Sequence, residues 1–173
     1  MDLASRIRTI PDFPVAGILF RDITTLIKDG EAFRESIEVM ADLVADLQVD
    51  KIAAIEARGW ILAAPIAYKR GAGFVPIRKP SKLPAEKMSC EYALEYGTNT
   101  LELHRDAVEP GERILLVDDL LATGGTARAS IDLIERLGGE VVGVAFLVEL
   151  VDLKGRDVLK GYEVRSIVSF EGA

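Results

Sequence analysis

Phe33, Ile37, Met40, Val44 and Leu47 recur at steps of three and four residues, with Glu35, Glu38 and Asp42 between them. That is the period of an amphipathic helix, and Asp29-Gly30 marks its expected start. Lys51-Ile52-Ala53-Ala54-Ile55-Glu56 follows as a nearly continuous apolar run of strand length, then Gly59 and an apolar helical segment closing at Tyr68-Lys69-Arg70-Gly71. Phe74-Val75-Pro76-Ile77 and Arg113-Ile114-Leu115-Leu116-Val117 predict two further strands, both fully buried, the second set off by the turn signal Glu109-Pro110-Gly111. Ile131, Ile134 and Leu137 space a helix that ends at Gly138-Gly139. Val141 to Leu150 predicts the most apolar strand, and a last one lies near Val164 to Val168.

Strands that alternate with helices and read as apolar runs imply a mainly parallel sheet covered by helices on both faces, an α/β fold. No repeat, low-complexity tract or composition shift marks a linker, so residues 1–173 are expected to form one domain. Between Ile77 and Leu101 the pattern breaks into a polar stretch carrying Pro80, Pro84 and the lysines 79, 82 and 87, too long and charged for an ordinary connection. Residues 78–100 are therefore a candidate lid.

Charge narrows the partners. Acids outnumber bases 28 to 21, which disfavours a broad nucleic-acid footprint. No apolar run approaches the roughly 20 residues of a spanning helix, so no membrane association is expected. Cys90 is the single cysteine, and residues 1–6 lack the apolar stretch of a signal peptide, which together predict a cytoplasmic location. Cys90 has no CxxC partner and is read as incidental, and the single histidine, His104, as structural.

The segment from Val117 to Thr126 reads Val-Asp-Asp-Leu-Leu-Ala-Thr-Gly-Gly-Thr and joins a buried strand to a helix. Backbone amides near Ala122 and the hydroxyls of Thr123 and Thr126 converge there on the positively polarised helix end, and Gly124 and Gly125 allow close approach of an anion. Asp118 and Asp119 would repel a phosphate, but suit ribose hydroxyls or a hydrated Mg²⁺. The plainer alternative makes them turn residues capping the next helix. The spacing fits neither a Walker loop nor a dinucleotide fingerprint.

These residues resemble the phosphoribosyl pyrophosphate loop of the type I phosphoribosyltransferases. Pro11-Asp12-Phe13-Pro14, Phe20-Arg21-Asp22-Ile23-Thr24, Glu56-Ala57-Arg58-Gly59 and Leu94-Glu95-Tyr96-Gly97 resemble segments of the adenine-using branch of that family. Ala16, Thr25 and Trp60 depart from its usual residues. The resemblance implies transfer of an activated ribose phosphate to adenine, giving AMP and pyrophosphate with Mg²⁺ carried by the substrate and held by no direct protein ligand. It implies a homodimer whose N-terminal segment, about 1–30, forms a hood over the purine, with Leu19, Phe20 and Arg21 against the base. It assigns pyrophosphate binding to the 56–59 loop, with Arg58 as a catalytic cation, and gives Glu95 a proton-transfer role beside N7 of the base. Tyr96 falls in the lid.

Read without the family, Phe20 and Ile18 could be core residues, and Arg21 an ion-pair partner of Asp22. Glu56 and Arg58 could be a salt-bridged strand-to-helix turn. Arg78, Lys79 and Lys82 would supply mobile positive charge to a leaving pyrophosphate, or form a solvated basic loop. Glu91, Glu95 and Glu102 would pass as exposed acids on strands flanking a turn.

Overall fold

The computed structural model describes residues 1–94 and 97–172. β1 (Arg8–Pro11) and β2 (Leu19–Asp22) form an antiparallel hairpin with Ile10 opposite Phe20. The short α1 (Thr24–Ile27) and the longer α2 (Gly30–Leu43) follow, then β3 (Lys51–Ile55), α3 (Arg58–Arg70) and β4 (Gly73–Ile77). A second antiparallel hairpin, β5 (Lys87–Ala93) with β6 (Thr98–His104), precedes β7 (Arg113–Leu121), α4 (Gly125–Arg136), β8 (Glu140–Leu150), α5 (Gly155–Val158) and β9 (Val164–Phe170).

Five strands form one parallel sheet in the order β4-β3-β7-β8-β9. The chain leaves β3 through α3 toward one edge and leaves β7 through α4 toward the other, and this reversal opens a crevice beyond the carboxyl ends of β3 and β7. Successive residues of β7 serve opposite faces. Leu115 and Val117 pack with Met40, Leu62 and Ile66 on one side, whereas Ile114 and Leu116 pack with Leu101, Ile131 and Ile134 on the other.

Helix α2 starts where the sequence predicts, because the Asp29 side chain accepts hydrogen bonds from the amides of Glu31 and Ala32 at 3.0 and 3.2 Å. It ends at Leu43, before the apolar period does. Val44 and Leu47 continue in a turn whose carbonyls accept from Arg70 at 2.7 and 2.6 Å. Strand β4 is less buried than expected, with Phe74 exposed, because it is the sheet edge.

One expectation about a strand needs correction. β7 does not stop at Val117 but continues through Leu121, so the two aspartates lie within the strand, held by pairing to β8. Much of the 78–100 stretch is the β5–β6 hairpin, anchored by Cys90, Leu101 and Leu103 in the core against α4. Glu102 is buried rather than exposed: it accepts from the Ser81 amide at 3.2 Å, with the Lys87 ammonium 3.8 Å away. No helix among the described residues is long and apolar enough to cross a membrane.

Candidate active site

The crevice holds a cavity of about 300 Å³ lined by residues 55–58, 79, 92, 99, 101, 118–127 and 146. Two long helices open onto it, and neither has a side-chain cap: α3 starts from Ala57, and α4 from Gly124. Their first-turn amides therefore point into the cavity with donors unused by the helix, unlike those of the capped α2. Helix α4 can start in this way because Gly124 adopts φ +87, which a side chain disfavours. A Cβ there would also lie 2.6 Å from the carbonyl oxygen of Gly155. Gly59 serves close approach instead, since its Cβ would sit 2.7 Å from Oδ1 of Asp118.

The paired aspartates differ. Asp119 is buried and held in an ion pair with Nε of Arg58 at 2.8 Å. Asp118 accepts from the Asp119 amide at 2.9 Å. Its carboxyl is raised well above the usual range, first by removal from water and then by the neighbouring charge of Asp119. Among the described residues no cluster of three or more His, Cys, Asp or Glu is placed to hold a metal.

Of the expected site residues, Asp118, Asp119, Ala122, Thr123, Gly124, Gly125, Thr126, Arg58 and Lys79 all line the cavity. Arg78 and Lys82 do not. Arg78 binds Glu56 at 3.2 Å and lies 5.1 Å over the Trp60 ring. Burial works against the charge on Glu56, but the Lys79 amide at 2.7 Å and Arg78 outweigh it and hold the carboxyl below its ordinary value. Thus Glu56 pairs with Arg78 and Arg58 with Asp119, not with each other as the plain-turn alternative had it. The Glu56–Ala57 peptide is cis. Glu95 and Tyr96 lie outside the described residues.

The N-terminal hairpin adjoins the site through Phe20, whose ring centroid is 5.7 Å from the Arg58 guanidinium and 5.1 Å from Phe13, edge to face. Ile18 is exposed and is not a core residue. Arg21 does not pair with Asp22, which binds Arg8 instead. Arg21 is buried, donates to Thr9 Oγ1 at 2.6 Å and to the Glu171 and Gly172 carbonyls at 3.1 and 3.3 Å, and stacks 4.3 Å over Phe170. Its side chain fastens β2 in place. Sequence reasoning missed Tyr92, Asn99 and Leu101, although apolar alternation in 88–92 and 99–103 carries the signal of a hairpin face.

Comparison with known proteins bears on this geometry. The phosphoribosyl transferase domain family matches residues 24–172. A curated relative from Halothermothrix orenii, adenine phosphoribosyltransferase, is 58% identical over 168 residues, covering 97% of this chain and 99% of its own. The crystal structure of adenine phosphoribosyltransferase from Thermoanaerobacter pseudethanolicus superposes with a TM-score of 0.96 at 54% identity, covering 98% of both chains. That of the Saccharomyces cerevisiae protein, complexed with D-2,5-dideoxy-2,5-imino-altritol 1,6-bisphosphate and adenine, gives a TM-score of 0.88 at 34% identity over 94% of each chain.

Proposed function

The chain belongs to the phosphoribosyltransferase family, in its adenine phosphoribosyltransferase branch, and from that premise we propose that it converts adenine and phosphoribosyl pyrophosphate to AMP and pyrophosphate. One observation carries the reading at the level of atoms. Two uncapped helix starts and a carboxylate pair share one cavity, as a ligand with phosphates at both ends and hydroxyls between them requires.

The amides of residues 122–126 and the hydroxyls of Thr123 and Thr126 cradle the 5-phosphate. Asp118 and Asp119 face the ribose hydroxyls. Arg58 and Lys79 stand at the pyrophosphate end, where negative charge grows as the C1–O bond breaks. Arg78 and Lys82 act there only if residues 78–82 move, because Arg78 is engaged by Glu56. Positive charge spreads over the sugar ring in the same step, and the Asp118–Asp119 pair offsets it. N9 of adenine forms the new bond to C1, and Glu95 accepts or returns the proton at N7. Leu19 and Phe20 give the flat base its apolar surface, and Arg21 holds the strand that carries them.

Asp118 and Asp119 would hold, through water, a Mg²⁺ brought in with the activated sugar, and that ion would supply positive charge at the pyrophosphate end. The same reading has the 1–30 segment as hood, residues 78–100 as lid, and the enzyme as a cytoplasmic homodimer. The test is AMP and pyrophosphate formation from phosphoribosyl pyrophosphate with adenine, hypoxanthine, guanine and xanthine, each with Mg²⁺ or chelator. Selective, Mg²⁺-dependent AMP formation is expected, and preferred turnover of another purine would correct the base.

A further inference from the structure

Tyr92 reaches the phosphate loop from the β5–β6 hairpin. The Thr126 hydroxyl donates to the Tyr92 hydroxyl oxygen at 3.2 Å, a bond that reverses when the threonine hydrogen turns to a phosphate, and the tyrosine ring covers Gly125, where a Cβ would meet Cδ2 at 3.5 Å. Strand alternation puts it there, since Met88, Cys90 and Tyr92 share the face that packs on the core while Ser89 and Glu91 are exposed. Tyr92 and its cross-strand partner Asn99 both line the cavity.

A threonine hydroxyl has one hydrogen to donate and two lone pairs to accept with. Once that hydrogen points at a phosphate oxygen, a phenol on the opposite side can donate to a lone pair and hold the rotor in that direction. Without the phenol, the hydroxyl is free to turn to water or to its own backbone. We infer that Tyr92 is a positioning residue for the phosphate cradle, orienting the Thr126 hydroxyl and tying the hairpin to the loaded loop. The inference rests on reading residues 117–126 as the phosphate site.

Tyr92→Phe removes the hydroxyl and keeps the ring, so the fold should persist, as a melting curve will verify. Calorimetric affinity for ribose 5-phosphate should weaken about three- to tenfold, the range of one lost hydrogen bond. KM for phosphoribosyl pyrophosphate should rise by a similar factor, with KM for adenine unchanged. In a Thr126→Ala background the same substitution should have no further effect, whereas in Thr126→Ser it should act as in the wild type. Unchanged ribose 5-phosphate affinity in Tyr92→Phe, or a full additional loss on top of Thr126→Ala, overturns the inference. A wild type that binds ribose 5-phosphate but makes no AMP defeats the adenine reading alone. A wild type that binds no ribose 5-phosphate defeats both.

Discussion

The two walls of the cavity are built on opposite plans. The inner wall, from β7 through Gly124 to α4, continues a central strand buried on both faces, and its main-chain amides, carboxylates and hydroxyls sit on that rigid base. The outer wall, β5 with β6, is a two-stranded hairpin outside the sheet, partly exposed along both strands, joined to the sheet edge by a bridge from Arg78 to Glu102. A wall rooted in the core holds geometry at the cost of tolerance. One lying over the core can carry reactive side chains whose loss the fold survives.

Glu95→Ala, between β5 and β6 in sequence, should give the largest effect: turnover lower by about 100-fold or more, with ribose 5-phosphate affinity and melting temperature unchanged. A fall in stability would erase the distinction between the walls. Gly124→Ala tests the inner wall. Forcing a side chain into φ +87 costs roughly 1–2 kcal/mol, and the meeting with the Gly155 carbonyl adds to it, so urea unfolding should show a loss of about 2 kcal/mol or more. Asn99→Ala across the cavity should stay within about 0.5 kcal/mol of wild type in the same assay.

Asp118→Asn sharpens the contrast from the electrostatic side. A carboxyl whose folded pKa is raised favours folding when protonated, so its contribution is full below the unfolded value and is lost as pH rises toward the folded one. The variant should therefore melt a few degrees higher than wild type at pH 7, show no gain at pH 4, and lose activity. The smallest effect is expected in the N-terminal hairpin. The Arg8 guanidinium, with help from the Thr24 amide at 2.9 Å, holds the Asp22 carboxyl at about 2. Its contribution is present above an unfolded value of about 4 and is lost as pH falls through about 2. Asp22→Asn should flatten that part of the urea stability profile, by less than about 1 kcal/mol because Arg8 is exposed.

The inner wall was legible in the sequence because its requirements are local. A buried strand, two acids, two glycines and two threonines state the loop in ten consecutive letters. The parallel sheet was legible too, since β3, β7 and β8 are apolar runs. What escaped were pairings set by distant segments. Arg21 beside Asp22 looks like an ion pair, yet the partners of Arg21 are Thr9 and carbonyls at 171 and 172. Glu102 looks exposed until the Ser81 turn covers it. Strands flanking a turn between Glu91 and Glu102 were legible, but that Tyr92 meets the phosphate loop depends on how the hairpin packs against α4, which the letters do not state.

The Arg21 contact also sets an order of events. It joins positions 150 residues apart, so during synthesis the strand carrying Phe20 leaves the ribosome long before the carbonyls that fasten it exist. Residues 19–22 can pair with β1 at once, but the contact of Arg21 with the chain end waits until the sheet has been made. The N-terminal hairpin is translated first and completed last, when the chain following β9 closes over Arg21.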